Sequence, residues 1–493
     1  MNHINVLYKS SLALLTDLYQ LTMAQGYWRS GIATHEAVFH MTFRKSPFKG
    51  GYAIACGLHK VIDLLKNLKF TEDDISYLAE ITGNDNKPLF DRHFLAWLQT
   101  MEFCCDVYAM PEGTIVFPHE PLVRVQGPLY QCQLIETMLL NAINFDTLIA
   151  TKAARICQAA RGEPVLEFGL RRAQGIDGAL SASRAAYIGG CAATSNVLAG
   201  KLFDIPVKGT HAHSWIMCFD DELSAFSEYA KSMPNNCVFL VDTYNTLEGV
   251  KNAIVVGKYL RECTDHEMTG IRLDSGDLAY LSIEARKLLD AAGFPKAVIV
   301  ASNDLDEHII ESLKAQGATI TVWGVGTKLI TGYDQPALGG VYKLSAIREN
   351  RNAEWIPKVK LSEQIEKTST PGILQVKRIY IDNKAYADII YSEETQPDNE
   401  FSLVDIFDST RRKTIQYDDI DDSMDLLVPV FEDGKCVYFS PCPHYIKKQV
   451  EVGLSKFHDG IKRFVNPHAY PVGLEEHLYE TKQQIIMYLR RNK

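Results

Sequence analysis

The sequence predicts an α/β protein: a closed or nearly closed β/α barrel in the middle of the chain and a second α+β domain made from the two chain ends. Three observations carry this. Between about residues 129 and 345, short β-branched apolar runs alternate with segments of helical spacing, at least six times in succession. Those runs are apolar throughout, which is the pattern of parallel strands covered on both faces by helices. In residues 1–128 and 346–493 the texture differs, with helices mixed among alternating strands and charged hairpins. A row of six or more strand–helix units favours a barrel over an open sheet.

The first segment opens with "SLALLTDLYQLTMAQGYW", where Leu14, Leu18, Leu21 and Gln25 keep a helical period. "EAVFHMTFRK" alternates like a half-buried strand, "VIDLLKNLKF" and "PLFDRHFLAWLQT" read as helices, and the Pro- and Gly-rich "PEGTIVFPHEPLVRVQGP" reads as strands joined by turns. The barrel strands are "PVLEFG" (164–169), "IPVKGT" (205–210), "CVFLVDT" (237–243), "GIRLDSG" (270–276), "AVIVAS" (297–302) and "TITVWGVGT" (319–327). Between them lie the helical stretches "SASRAAYIGGCAATSNVLAGKL", "SWIMCFDDELSAFSEYAKSM", "TLEGVKNAIVVGKYLREC", "LAYLSIEARKLLDAAG" and "DLDEHIIESLKAQG", several ending near Gly. After residue 345, "ENRNAEWIPKVKLSEQIEKTSTPGILQVKRIYIDNKAYADIIYS" reads as charged β-hairpins. "GLEEHLYETKQQIIMYLRRN" reads as an amphipathic helix whose Arg490–Arg491 pair suits its negative end.

Composition narrows the function. The 493 residues are 46% apolar and 23% charged, an ordinary globular balance. A net charge of −10 argues against a nucleic-acid backbone as main partner, but not against a small anion held in a local cradle. The 11 cysteines include no C-x-x-C pair and read as scattered reduced thiols. The apolar run of "MNHINVLYKSSLALLTDLYQ" is broken by Thr16 and Asp17, too early for a secretory signal, and no stretch approaches the roughly 18 apolar residues of a membrane span. The expected location is cytoplasmic.

Polar residues gather at the carboxyl ends of the barrel strands, where β/α barrels build their sites: "EFGLRR", "GTHAHS", "DTYNT", "LDSGD", "SND" and "GVGT". Gly324, Gly326 and Thr327 would let backbone approach an anion and add a hydroxyl, though a plain tight turn explains them as well. Asp274 and Asp277 flank Ser275 and Gly276 and could bind Mg²⁺ through water or grip sugar hydroxyls, while Asp277 also reads as the cap of the next helix. Arg171 and Arg172 follow Phe168. Arg171 suits an anion and Arg172 reads as a solvated neighbour. Asp242 could orient a histidine ring or cap a helix. The pair His211 and His213 in "KGTHAHSW" reads either as two metal ligands or as one nucleophile and a bystander. Together these groups point to chemistry on a phosphorylated sugar.

At this level of detail the chain resembles a known family. "LLTDLYQLTMAQGYW", "EFGLRRAQG", "GTHAHS", "GIRLDSGDL" and "GVGTKLITGYDQPALGGVYKL" look like nicotinate phosphoribosyltransferase, in the same order, from about residue 12 to 345. The C-terminal third carries no motif matched in this way. The resemblance implies a type II phosphoribosyltransferase fold, an irregular β/α barrel beside a domain made from both chain ends. It implies synthesis of nicotinate mononucleotide and pyrophosphate from nicotinate and phosphoribosyl pyrophosphate in NAD biosynthesis. ATP and Mg²⁺ take part, with coupling through a phosphohistidine in a head-to-tail homodimer. By position it makes His213 the phosphorylated histidine and Asp242 its orienting carboxylate. Tyr19 and Phe168 become the aromatics that sandwich the pyridine ring, with Asp17 beside Tyr19 in the same motif. Thr210 and Arg272 fall near the substrate carboxylate. Arg171, Asp274, Ser275, Gly276, Gly326 and Thr327 fall on the ribose-phosphate site, and His211 on a variable position.

The related nicotinamide phosphoribosyltransferases carry an acidic residue that accepts from the substrate amide. The corresponding stretch here, "AATSN" with Thr194, Ser195 and Asn196, has none. Ser195 can donate to a carboxylate, so nicotinate is favoured over nicotinamide. Two remoter readings remain: a barrel metallohydrolase using His211 and His213, and a metabolite sensor on a retired enzyme fold. The first lacks further His ligands at later strand ends, and the second does not explain Arg272, Asp274 and His213.

Overall fold

Six parallel strands make up the sheet in the middle of the chain. The computed structural model describes residues 11–395 and 400–491, so the first ten residues of the N-terminal stretch and Asn492 after the terminal helix lie outside it. The chain divides into two compact units. One holds residues 11–147, 337–441 and 452–491; the other holds 148–336 and 442–451. The divisions fall at 147/148 and 336/337, where the change of sequence texture suggested 128/129 and 345/346, and the short 442–451 segment falls with the barrel unit.

In the barrel unit the strands are β1 (Val165–Glu167), β2 (Ala193–Thr194), β3 (Val238–Leu240), β4 (Gly270–Leu273), β5 (Val298–Ala301) and β6 (Val322–Val325). Their order is β2-β1-β6-β5-β4-β3, and every pairing between them is parallel. Residues 237–241, 271, 273, 299–301, 323 and 325 are buried, as expected for strands covered on both sides. The helices between them follow the sequence with three refinements, one being that the stretch read as helical over 214–233 is two helices, His213–Met217 and Glu222–Ser232. The stretch read as one helix over 181–202 is two, α1 (Ile176–Ile188) and α2 (Val197–Phe203), with β2 between them. Gly190 at φ +122 breaks the helix there, a conformation that side chains other than hydrogen disfavour. "IPVKGT" forms only a single parallel bridge, Val207 to Thr194, beside β2. Helices α3 (His213–Met217), α4 (Glu222–Ser232), α5 (Thr246–Cys263), α6 (Leu278–Ala291) and α7 (Glu307–Ala315) complete the expected alternation. Asp221, Asn245, Asp277 and Asp306 cap the last four of these through their side chains.

The barrel is irregular at one seam. No ladder joins β3 to the segment around Val207 among the described residues. The Leu240 N–H at that edge donates instead to His211 Nε2 at 3.3 Å. A side chain thus satisfies a donor that a neighbouring strand would otherwise take.

The other unit contains two large sheets and a two-stranded one, Ala53–Ile54 paired antiparallel with Ile115–Val116. One is antiparallel and seven-stranded, with the strand Glu36–Phe43 paired between Gly340–Arg348 and Val123–Pro128. That strand was expected to be half-buried. Instead both faces are covered: Ala37, Val38, Phe39, Met41 and Phe43 are buried, and so is His40, whose Nε2 accepts from the Leu374 N–H at 3.2 Å. The second sheet has six strands and contains the hairpin Leu374–Ile381 and Lys384–Ser392. Its turn uses Asp382 and Asn383 at φ +53 and +56, residues that tolerate the left-handed region. The helix Glu476–Arg491 ends on Arg490 and Arg491 as expected.

Candidate functional site

The site in the barrel unit begins with Arg272 at the end of β4. Its Nε donates to Ser302 Oγ at 2.8 Å, Nη1 to Thr210 Oγ1 at 2.9 Å and Nη2 to Asp274 Oδ1 at 2.9 Å. Three strand ends are thereby tied to one planar guanidinium, a geometry that a lysine cannot reproduce. Ser302 also donates to Asp274 Oδ1. Burial pushes the Asp274 carboxyl up, but the Ser302 hydroxyl and the Arg272 charge outweigh it, and its pKa lies below the ordinary carboxylate value. Asp274 is therefore a carboxylate at neutral pH.

His213 is the first residue of α3 and its side chain is 40% exposed. Its Nδ1 lies 3.1 Å from Thr243 Oγ1, and its Nε2 lies 3.6 Å from Asp274 Oδ2. This corrects the expectation that Asp242 orients it. Asp242 Oδ2 accepts from the Asp274 N–H at 2.8 Å and from Ser275 Oγ at 2.7 Å. The carboxylate at the end of β3 faces the neighbouring β4 loop, where two donors converge, and holds that loop rather than the imidazole. Nor does Asp242 cap a helix, since Asn245 caps α5. Asp277 does cap α6, accepting from the Tyr280 N–H at 3.1 Å, so the two aspartates of "LDSGD" have separate tasks.

His211 takes no part in this cluster. Its Nδ1 donates to the Ala212 carbonyl at 3.4 Å, its Nε2 accepts from Leu240, and its ring packs edge-on to Tyr229. Burial lowers its pKa to about 4, reinforced by the Arg272 and His213 charges. With both ring nitrogens engaged, His211 and His213 are not a metal pair, and the described residues contain no cluster of three or more His, Cys, Asp or Glu placed to hold a metal.

Phe168 follows β1, and its N–H donates to the Val325 carbonyl at 2.8 Å. A Cβ on Gly324 would come within 2.8 Å of the Phe168 ring, and one on Gly326 within 3.2 Å of its carbonyl oxygen. The glycines of "GVGT" thus serve first to admit this aromatic. Thr327 opens a four-residue helix, α8 (Thr327–Ile330). Phe168 and Thr210 line one end of a cavity of about 320 Å³ that runs along the barrel interior past Leu166, Ala193, Val298, Val300 and Val322. Asn236 and Thr269, which precede β3 and β4, line the other end. Glu167 points the opposite way. Its carboxylate accepts from Ser183 Oγ at 2.9 Å, from Thr194 Oγ1 at 2.6 Å and from the Gly169 N–H. Thr194 and Asn196 are likewise structural, Asn196 capping α2, whereas the Ser195 hydroxyl makes no hydrogen bond with the described residues. Arg171, Arg172, Ser275 and Gly276 are exposed.

Twelve of the fourteen site residues singled out from the sequence lie in this unit. Asp17 and Tyr19 lie in the other, at the start of the helix Leu18–Arg29. Thr137 Oγ1 donates to Asp17 Oδ2 at 3.0 Å, and Tyr19 is 47% exposed. Partial burial, then the carboxylates of Glu136 and Asp17, raise the Tyr19 phenol above its ordinary value. Sequence reasoning gave no role to Thr243, Ser302 or Glu167, although each stands within a strand-end segment already marked as polar.

Comparison with known proteins agrees with this architecture. The model of the nicotinate phosphoribosyltransferase N-terminal domain matches residues 14–144, that of the nicotinate phosphoribosyltransferase family residues 164–394, and that of the C-terminal domain residues 374–482. Nicotinate phosphoribosyltransferase of Bacillus subtilis (strain 168) is 47% identical over 481 residues, covering 97% of this chain and 95% of that protein. The chain belongs to the nicotinate phosphoribosyltransferase family. The Caenorhabditis elegans nicotinate phosphoribosyltransferase is 38% identical, covering 95% of this chain and 92% of its own. Among solved structures, human nicotinic acid phosphoribosyltransferase superposes with a TM-score of 0.82 at 30% identity, over 95% of this chain and 99% of that one. A nicotinate-nucleotide pyrophosphorylase from Pyrococcus furiosus shares the fold, with a TM-score of 0.67 at 22% identity. The C-terminal third, which offered no motif to the eye, is part of the family match. Among the described residues no helix is long and apolar enough to cross a membrane.

Proposed function

We propose that this protein makes nicotinate mononucleotide and pyrophosphate from nicotinate and phosphoribosyl pyrophosphate, a step of NAD biosynthesis, and couples it to ATP hydrolysis through a phosphohistidine at His213. The observation that carries the reading is the Arg272 guanidinium bonded at once to Thr210, Asp274 and Ser302, with His213 beside Asp274. The cluster sits at the end of a barrel that belongs to a family of this name.

In this mechanism the pyridine nitrogen attacks C1 of the ribose as pyrophosphate leaves, through an oxocarbenium-like state. Phe168 stacks on the pyridine ring and fixes its line of attack, which removes entropy from the reacting step. Arg272 and Thr210 hold the carboxylate, and Ser195 adds a free hydroxyl for the same group. Among the described residues none that lines the cavity is acidic, and Glu167 is turned away into its own hydrogen bonds. Asp274, ionised at neutral pH, grips ribose hydroxyls, and Asp242 holds the 274–276 loop against them. Arg171, Ser275, Gly276, Gly326 and Thr327 surround the phosphates. Asp17 and Tyr19 of a second copy complete the site in a homodimer.

Magnesium would enter with the diphosphate and neutralise the leaving group. Asp274 and Asp242 would hold it: Asp242 Oδ1 is buried without a hydrogen-bond partner. One or two carboxylates with substrate phosphates and water suit this ion. ATP transfers its terminal phosphoryl group to His213, and hydrolysis of the phosphohistidine after turnover resets the enzyme. Thr243 holds the imidazole through Nδ1.

The test is pyrophosphate release from phosphoribosyl pyrophosphate with nicotinate or nicotinamide, with and without ATP. Turnover with nicotinate, accelerated by ATP and accompanied by ADP, is the expected result. A preference for nicotinamide would move the protein to the amide-using relatives, and no release with either would remove the transferase reading.

A further inference from the structure

The cavity along the barrel interior has one charged residue in its wall. The lining is apolar or neutral, from Leu166, Phe168 and Val300 to Thr210 and Asn236; Lys208 alone carries charge, and it is exposed to solvent. The direction of Lys208 follows from strand alternation. Val207 turns outward onto α2, where a Cβ on Gly200 would come within 2.2 Å of it. Neighbours on either side of an outward residue face inward. Pro206 and Lys208, on either side of Val207, accordingly line the cavity, as do Gly209 and Thr210 beyond them. Thr210 on the same face meets Arg272. The Lys208 N–H is fixed by the Thr194 carbonyl at 3.0 Å, so the backbone is anchored on β2 while the ammonium has no carboxylate partner among the described residues.

We propose that Lys208 is a specificity-determining residue, an unpaired cation on the cavity wall that selects an anionic pyridine over its neutral amide. This rests on the transferase reading above. Two residues along an extended segment separate Lys208 from Thr210 by about 6.6 Å. With Thr210 already held by Arg272 as the carboxylate-binding pair, the exposed ammonium acts on the substrate carboxylate through its field rather than as the group that binds it. Lys208 is exposed to solvent, so its field is screened; a unit charge at about 6.6 Å in such surroundings changes affinity by about threefold for a carboxylate and leaves an amide nearly untouched. Thr210 and Arg272 supply geometry, which an amide can partly share; a net charge in the wall is a feature only the acid can use.

The experiment compares full-length wild type with Lys208→Met and Lys208→Arg. Wild-type turnover with nicotinate is measured first, and its absence would sink the transferase reading without touching Lys208. Given turnover, Lys208→Met is expected to raise KM for nicotinate about threefold at low ionic strength, with kcat and KM for phosphoribosyl pyrophosphate unchanged. Inhibition by nicotinamide is expected to stay the same, and Lys208→Arg to restore the nicotinate KM. The nicotinate KM should rise more steeply with ionic strength in wild type than in Lys208→Met, where only the Arg272 contribution remains, a difference that a packing role would not produce. An unchanged nicotinate KM in a folded Lys208→Met, or equal losses for acid and amide, would overturn the proposal.

Discussion

Arg272 Nη1 donates to Thr210 Oγ1 at 2.9 Å across 62 residues of chain, while the same guanidinium reaches Ser302 and Asp274. The two groups expected near the substrate carboxylate are thus already one unit before substrate arrives. Lysine could satisfy one acceptor of the three. Arg272→Lys is expected to lower kcat/KM for nicotinate by at least 100-fold, and Thr210→Val by about tenfold, in line with the loss of charge-assisted and single hydrogen bonds. Steady-state kinetics with nicotinate as the varied substrate measures both. A lysine variant near wild type would remove the fork geometry from the mechanism.

Thr243 makes the contact with His213 that motif comparison implies for Asp242. Thr243 touches His213, and Asp242 fixes the Asp274–Ser275 loop. Thr243→Val is expected to slow phosphohistidine formation about tenfold, read as acid-labile phosphate on the protein from labelled ATP. Asp242→Asn is expected to raise KM for phosphoribosyl pyrophosphate while leaving phosphorylation within a few-fold. The reverse pattern would restore Asp242 as the group that orients the ring.

His213→Ala is expected to abolish ATP-dependent stimulation and leave slow synthesis without ATP. The pyridine attack itself uses Phe168, Arg272 and Asp274, none of which the substitution removes. Fully ATP-coupled turnover in that variant would show that the phosphoryl acceptor is another residue.

Gly324 sits so close to Phe168 that an added Cβ would meet ring carbons at 2.8 and 2.9 Å. Gly324→Ala must displace an aromatic plane rather than a flexible chain end. Nicotinate KM is expected to rise at least fivefold with little change for phosphoribosyl pyrophosphate, and stability to fall by about 1–3 kcal/mol, the usual cost of overpacking. Equal effects on both substrates would mean that Phe168 does not stack on the pyridine.

Much of this was legible from sequence where the signal is local. Strands such as Val298–Ala301 announce themselves as apolar β-branched runs between helical periods, and Asp277 as a cap by standing just before one. Ala193–Thr194 was not legible, because a two-residue strand between two helices has no period of its own. The segment around Val207 looked like a full strand but makes one bridge, and the facing edge of β3 donates from Leu240 N–H to the His211 ring instead of to a ladder. Partners were the weakest inference. The sequence marked Asp242 as a carboxylate at a strand end, but which donor it meets depends on loops more than 30 residues away. Ser302 and Thr243 were lost for the same reason: a hydroxyl becomes a site residue only through what folding brings to it.

His211 offers a test of the seam. Its pKa, lowered by burial to about 4, lies below the ordinary 6.5, so the folded protein refuses a proton that the unfolded chain accepts. Above about pH 6.5 neither state is protonated, and His211 contributes no pH dependence. As pH falls from 6.5 toward 4 the unfolded state gains the proton first, so this residue makes stability decline with falling pH across that window. His119, also lowered to about 4 chiefly by burial, and His40, lowered by burial and Arg124, act in the same direction. Wild type alone therefore cannot isolate His211, but a variant can. In His211→Gln the amide oxygen can still accept from the Leu240 N–H, while nothing at that position titrates. The variant is expected to unfold at a lower temperature than wild type at pH 7, where the lost packing against Tyr229 is felt in full. The gap is expected to narrow steadily toward pH 4.5. A gap constant between pH 7 and 4.5 would mean that His211 binds its proton equally in both states, and would remove the neutral ring from the barrel seam.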